Sequence, residues 1–173
     1  MDAARRKLAQ VGYDRATIRA IATEAGVDKS SVIQYFGTKQ QLFREAVDWG
    51  PDVPSLAAAT PRATAENYLR AMLGEWAADP DSAMVALVRT AMTSDEAAEL
   101  LRQKITTAAI DPAVATIGGP QARLRVTMVG ALMFGIAAQR YLLKLPDLAT
   151  AELDDIVRLA APLVEQLLTP PEQ

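Results

Sequence analysis

A chain of 173 residues, 50% of them hydrophobic, suits one medium domain or two small ones with a real core. It contains neither cysteine nor histidine, which removes disulfides, thiol nucleophiles, the usual zinc ligands and the Ser-His-Asp and Cys-His arrangements, and is compatible with a reducing cytoplasm. The net charge of −3 argues at first sight against nucleic acid, but residues 1–50 carry eight basic residues against six acidic, leaving ten basic against fifteen acidic in the rest.

The first residues, MDAARRKLAQ, lack the apolar stretch of a signal peptide, so secretion is not expected. Thr17 to Phe43, TIRAIATEAGVDKSSVIQYFGTKQQLF, reads as a helix, a tight turn, a second helix and the capped start of a third. Thr17 can cap the first helix, and Ile18, Ile21, Ala22 and Ala25 recur at i, i+3, i+4 and i+7, which predicts one buried face. Gly26 falls where a left-handed C-terminal cap is needed, Val27 is expected to pack under the turn, and Asp28 to cap the next helix. That helix, Lys29 to Tyr35, is expected to send Val32, Tyr35 and Phe36 toward the core and to leave Lys29, Ser30, Ser31 and Gln34 outward.

Helical periodicity breaks after Val47, at Trp49-Gly50-Pro51-Asp52-Val53-Pro54, which places a domain boundary near residue 50. Thr60-Pro61 then reads as cap and first-turn proline of a helix to about Ala78. Asp79-Pro80 starts another, to about Thr93; Ser94-Asp95-Glu96 opens a third; Asp111-Pro112 starts a short segment stopped by Gly118-Gly119-Pro120. A long helix from about Gln121 to Leu143 is apolar around its middle, which requires neighbours on more than one side. Its longest charge-free run, Val126 to Gln139, falls short of the roughly eighteen residues that argue for a membrane span, so no membrane partner is expected. The last helix, about Ala151 to Leu168, carries a stripe of Leu153, Ile156, Val157, Ala160, Val164, Leu167 and Leu168, with Pro162 expected to bend it. No strand pattern appears, and the fold class is all-α.

The block Gly12-Tyr13, Thr17, Ile21-Ala22, Ala25-Gly26-Val27, Tyr35-Phe36, Lys39 and Leu42-Phe43 resembles the N-terminal domain of the tetracycline-repressor (TetR) family of bacterial regulators. The resemblance covers roughly residues 3 to 48. It implies a three-helix helix-turn-helix DNA-binding domain at 1–49 and a helical effector-binding and dimerisation domain at 50–173. Three features depart from the family pattern. Ile33 stands where many members carry tyrosine, Lys7 replaces a usual apolar residue, and the chain begins inside the first helix, without the basic segment many members place before it; an earlier native start is left open.

A reading helix presents short donors and acceptors to base edges while other residues grip phosphates. Lys29, Ser30, Ser31 and Gln34 suit the bases. Thr17 and Lys39, at or near helix starts, suit phosphates, and Arg19 suits either set. The resemblance places Tyr35 near the DNA backbone, although the residues alone leave it equally to the core. Family members release DNA when a small molecule binds the C-terminal domain, and Tyr68, Met72, Trp76, Met84, Leu87, Met128, Leu132 and Phe134 are the candidate wall for an apolar effector; simple core is the competing reading for each. The final two helices of family members meet their copies in a four-helix bundle, which makes Met133, Arg140, Tyr141, Ile156, Ala160, Val164 and Leu167 the candidate dimer interface; the bland reading is that the stripe packs within its own chain.

No nucleophile–base pair, metal constellation or Gly-rich phosphate loop is visible. The pairs Asp79 and Asp81, Asp95 and Glu96, and Asp154 and Asp155 read as caps and solvated surface. The expectation is therefore a cytoplasmic, non-enzymatic regulator with no cofactor or metal, whose partners are a double-stranded operator, a second copy of itself and a small apolar effector. The alternative is a helix-turn-helix co-regulator or protein-binding module without sequence-specific DNA binding.

Overall fold

The computed structural model describes residues 1–47, 50, 52–79 and 81–169. The described residues contain no strand. The helices are α1 (Asp2–Arg15), α2 (Ile18–Ala25), α3 (Lys29–Phe36), α4 (Lys39–Ala46), α5 (Pro61–Ala78), α6 (Ala83–Ala91), α7 (Asp95–Ile105), α8 (Asp111–Ile117), α9 (Ala122–Ala137), α10 (Pro146–Thr150) and α11 (Leu153–Leu168). A 3₁₀ turn spans Val53–Leu56, and π-helical turns span Thr106–Ile110 and Ala138–Leu142.

The chain forms two compact units, Met1–Trp49 with Asp81–Ile105, and Gly50–Pro80 with Thr106–Gln173. The first unit therefore holds α6 and α7 as well as the helix-turn-helix, a grouping that follows no single cut in the sequence. Of the residues around the expected boundary, Asp48, Trp49 and Pro51 lie outside the described set.

In the first unit, α1 packs on α2, α4 and α6, and α7 packs on α4 and α6. Gly12 breaks α1 near its end with φ 74°, and a Cβ there would meet the Thr90 hydroxyl at 3.0 Å. A side chain there would be strained by the backbone conformation and crowded against Thr90. The break precedes Tyr13, which is completely buried with its ring centroid 5.3 Å from that of Phe43. Leu8, Leu42, Phe43 and Val85 are buried in the same unit.

In the second unit, α5 and α9 pack on α11, and the core gathers Tyr68 and Leu69 of α5, Val126, Val129 and Met133 of α9, and Val157, Ala160, Ala161, Val164 and Leu168 of α11. Arg125 is the buried charged residue among those described, at 7% exposure. Its guanidinium donates to the carbonyls of Gly118, Pro120, Leu167 and Leu168, tying the glycine loop before α9 to the C-terminal end of α11. Those last carbonyls of α11 lack partners within the helix and carry its negative end, which compensates the buried cation. Pro162 lies inside α11, which continues through it to Leu168.

Several local expectations differ from the structure. Helix α6 starts at Ala83, not at Asp79-Pro80, because the Ser82 hydroxyl accepts from Val85 N and supplies the cap. Asp28 occupies the N-cap position of α3 without a side-chain cap bond, and Val27 and Ala25 are exposed rather than packed beneath the turn. A turn this short brings only Ile21 and Ala22 of α2 fully into the core.

Candidate functional site

Each end of the reading device is fixed by a local bond. The Thr17 Oγ1 accepts from Ala20 N at 3.2 Å and starts α2, and Gly26 ends it in the left-handed region at φ 68°. Thr38 and Gln41 form a reciprocal capping box at the start of α4: Gln41 N donates to the Thr38 hydroxyl at 3.1 Å, and Thr38 N donates to the Gln41 amide oxygen at 2.8 Å. These bonds satisfy otherwise orphaned donors and set the ends of α2 and α4. Between them, α3 buries Val32 alone and exposes Lys29, Ser30, Ser31 and Gln34 on its outward surface.

Tyr35 corrects the core reading of that residue. It is 82% exposed, stacked edge-on against Phe36 with ring centroids 4.9 Å apart, while Phe36 is half-buried rather than core. Val32 alone points inward because α3 has only eight residues and one apolar row, so the aromatic pair falls at its rim. Thr17 and Arg19 are exposed; Lys39, the first residue of α4, is half-buried.

Thr17 and Arg19 also line an open cleft of about 480 Å³ with Lys7, Ala20, Thr23 and Glu24. Glu24 bridges Arg6 at 2.8 Å and Lys7 at 3.1 Å, and the bonds from Arg6 and then Lys7 hold its carboxyl below the usual carboxylate range. Lys7, which departs from the family's apolar pattern, thus has a carboxylate partner on α2. Asp14 and Tyr13 are site residues that sequence reasoning missed: the Lys39 ammonium donates to the Asp14 carbonyl at 3.3 Å and sits 4.2 Å from the centre of the Tyr13 ring. Only the Gly12-Tyr13 element of the resemblance hinted at them.

The candidate effector wall is divided. Tyr68, Met72 and Leu132 meet at the core of the second unit, and Trp76 and Phe134 of that unit contact edge-on at 6.2 Å, with Tyr141 6.3 Å from Trp76. Met84 and Leu87 are buried in the first unit, on α6, and Met128 is exposed on the outer side of α9. Those three are therefore not part of the grouping around Tyr68. The Tyr68 hydroxyl is buried without a hydrogen-bond partner, and burial pushes its phenol above the ordinary value.

Within the single chain, the candidate interface residues are mostly covered. Met133, Ile156, Ala160 and Val164 are buried within their own chain, Leu167 packs against that core, Arg140 donates to the Leu148 and Ala151 carbonyls, and the Tyr141 hydroxyl donates to Leu73 O at 3.0 Å. Helices α5 and α9 cover that row of α11. On α9 and α11 themselves, the large apolar side chains left exposed are Leu124, Met128, Leu159 and Leu163.

Among the described residues, no cluster of three or more metal-ligating side chains occurs and no helix is long and apolar enough to cross a membrane.

Comparison with known families accounts for this arrangement. Residues 1–46 match the model of the bacterial regulatory proteins of the tetR family, and residues 63–168 match the tetracyclin repressor-like C-terminal domain. The chain belongs to the TetR family of transcriptional regulators. A TetR-family regulator from Streptomyces coelicolor A3 is similar at 27% identity and TM-score 0.71, over 96% of this chain and 91% of that one. GusR of Salmonella enterica is similar at 15% identity and TM-score 0.68, over 95% and 92% of the two chains. The fatty acid degradation regulator FadR of Bacillus halodurans is similar at 17% identity and TM-score 0.62, over 95% of each. Comparison with curated protein sequences gives no significant match.

Proposed function

We propose that this chain is a dimeric, ligand-responsive repressor that binds a near-palindromic operator and releases it when a small, largely apolar effector binds the second unit. The observation that carries the reading is the outward surface of α3, where Lys29, Ser30, Ser31 and Gln34 are exposed together between the capped starts of α2 and α4. Hydroxyls, an amide and an ammonium on one short helix are chemistry for base edges: lysine for guanine, glutamine for adenine, serine for either. Thr17 retains its hydroxyl proton for a phosphate, since its oxygen only accepts from Ala20. Exposed Arg19 and Tyr35 add donors for the DNA backbone.

Two such heads require a dimer, and a two-fold dimer matches inverted half-sites. The open row of Leu124, Met128, Leu159 and Leu163 is the surface for the second copy. Tyr68, with Met72 and Leu132 beside it and its hydroxyl unpaired, favours an effector that is apolar over most of its surface and carries one hydrogen-bonding group. Effector release of DNA follows if the effector binds one of two dimer states more tightly. The reading takes in a non-enzymatic, cytoplasmic role with no cofactor, as family membership suggests.

Selection from a random duplex pool with the purified chain, against a Gln34→Ala, Lys39→Ala control, tests the reading. Enrichment of an inverted repeat that is lost in the control is the expected result. A folded dimer that enriches no sequence would move the assignment to a protein-binding co-regulator.

A further inference from the structure

We propose that Tyr13 is a positioning residue for Lys39: its buried ring holds the lysine ammonium where a DNA phosphate can meet it, and Glu96 and Ser94 at the start of α7 hold Tyr13 and Asp14 in place. The inference rests on the DNA-binding reading above. Lys39 opens α4, directly after the Thr38–Gln41 capping box, so its backbone is fixed. Its side chain is fixed as well. The ammonium sits 4.2 Å from the centre of the Tyr13 ring and donates to the Asp14 carbonyl at 3.3 Å.

An ammonium has three N–H groups, and the face of an aromatic ring attracts it without removing its charge. One donor goes to Asp14 and the ring supports the cation, so donor capacity remains for an anion. A solvated lysine loses rotamer freedom when it grips a phosphate, and an ammonium already held by a ring and a carbonyl loses less.

The ring can act as a platform because nothing about it is loose. Tyr13 is completely buried, its hydroxyl donates to Glu96 at 2.6 Å, its backbone N–H donates to the Thr90 hydroxyl at 3.4 Å, and Gly12 admits the kink just before it. Asp14 is fixed in turn by the Ser94 hydroxyl, which donates to its carboxylate at 2.7 Å. Glu96 and Ser94 belong to the start of α7, so the phosphate-gripping cation takes its position from a helix 55 or more residues away in sequence.

The test is the salt dependence of binding to a duplex carrying the sequence enriched by selection, for wild type, Lys39→Met, Tyr13→Leu, Tyr13→Phe and the Lys39→Met/Tyr13→Leu double variant. Each lost phosphate contact lowers the slope of log K against log salt by about 0.9. Lys39→Met and Tyr13→Leu are each expected to lose about that much per head, the double variant to lose no more than either, and Tyr13→Phe, which keeps the ring but gives up the Glu96 bond, to lose less than Tyr13→Leu. A Tyr13→Leu slope equal to wild type overturns this inference alone. Wild-type protein that binds no duplex overturns the DNA-binding reading and the inference with it. Should Tyr13→Leu fail to fold, the Lys39 ε-methylene protons of the wild type decide by NMR: ring-current shielding places them upfield of free lysine, and resonance at the free-lysine position overturns the inference.

Discussion

The Tyr13 hydroxyl donates to the Glu96 carboxylate across 2.6 Å, joining residues 83 positions apart in sequence. Burial raises the Tyr13 phenol well above its ordinary value near 10, and the Glu96 hydrogen bond and charge, with the charge of Asp14, raise it further. The folded state thus holds this proton more tightly than the unfolded chain. Its stabilising contribution is complete below about pH 10 and is lost as pH rises toward the higher folded value. Tyr13→Phe should therefore flatten the fall in melting temperature above about pH 10, while costing stability at neutral pH. Parallel alkaline profiles for the two proteins would show that Tyr13 is not the source.

Glu24 gives the opposite limb. The hydrogen bonds from Arg6 and Lys7 depress its carboxyl below the ordinary glutamate value of 4.5, so its contribution is present above that value and is lost as pH falls through the lower folded one. Thermal melts of Glu24→Gln between pH 3 and pH 6 are expected to show a shallower acid limb than wild type, by a small amount because the bridge lies in an open, solvent-filled cleft. A variant as acid-sensitive as wild type would leave the bridge without a stabilising role.

Arg125→Met should destabilise the second unit by on the order of 3 kcal/mol, because four carbonyls lose a charged donor and those of Leu167 and Leu168 lie at an unpaired helix end. Arg125→Lys should recover little, since one ammonium cannot reproduce the guanidinium fork. Chemical denaturation measures both. A loss below about 0.5 kcal/mol for Arg125→Met would mean that water replaces the guanidinium at no cost.

The open apolar row carries the dimer prediction. Leu159, 67% exposed, and Leu163 lie on α11 four residues apart, so both face the same way. Leu159→Glu/Leu163→Glu is expected to yield a folded monomer by light scattering and circular dichroism. Val164→Glu, by contrast, is expected to unfold the chain, because Val164 is completely buried in its own core. A Leu159→Glu/Leu163→Glu protein that stays dimeric would remove this row from the interface.

Much of the helix-turn-helix was legible in the chain because its signals are local. Thr17 caps a residue three positions ahead, Gly26 closes its own helix, and Thr60-Pro61 opens α5 where expected. The outward set on α3 was legible for the same reason, as one turn of helix fixes which residues share a surface. Tyr35 was not: an aromatic residue in a motif can serve core or rim, and its 82% exposure depends on how few neighbours an eight-residue helix can collect. The α11 stripe was visible as a stripe, but periodicity shows that a row is covered, not what covers it.

The sequence by itself determined the all-helical class, most helix starts and stops, the outward chemistry of α3 and the family resemblance, because each depends on residues within about one helical turn or on a motif of fixed spacing. Only the tertiary structure decided that α6 and α7 join the reading head's unit, that Tyr13 and Asp14 hold Lys39, that Arg125 ends in a cage of carbonyls, and that Leu159 and Leu163 are exposed while Val164 is buried. Those outcomes are set by contacts between segments far apart in the chain, where burial and hydrogen-bond geometry are settled by which surfaces meet, and no local pattern encodes that meeting.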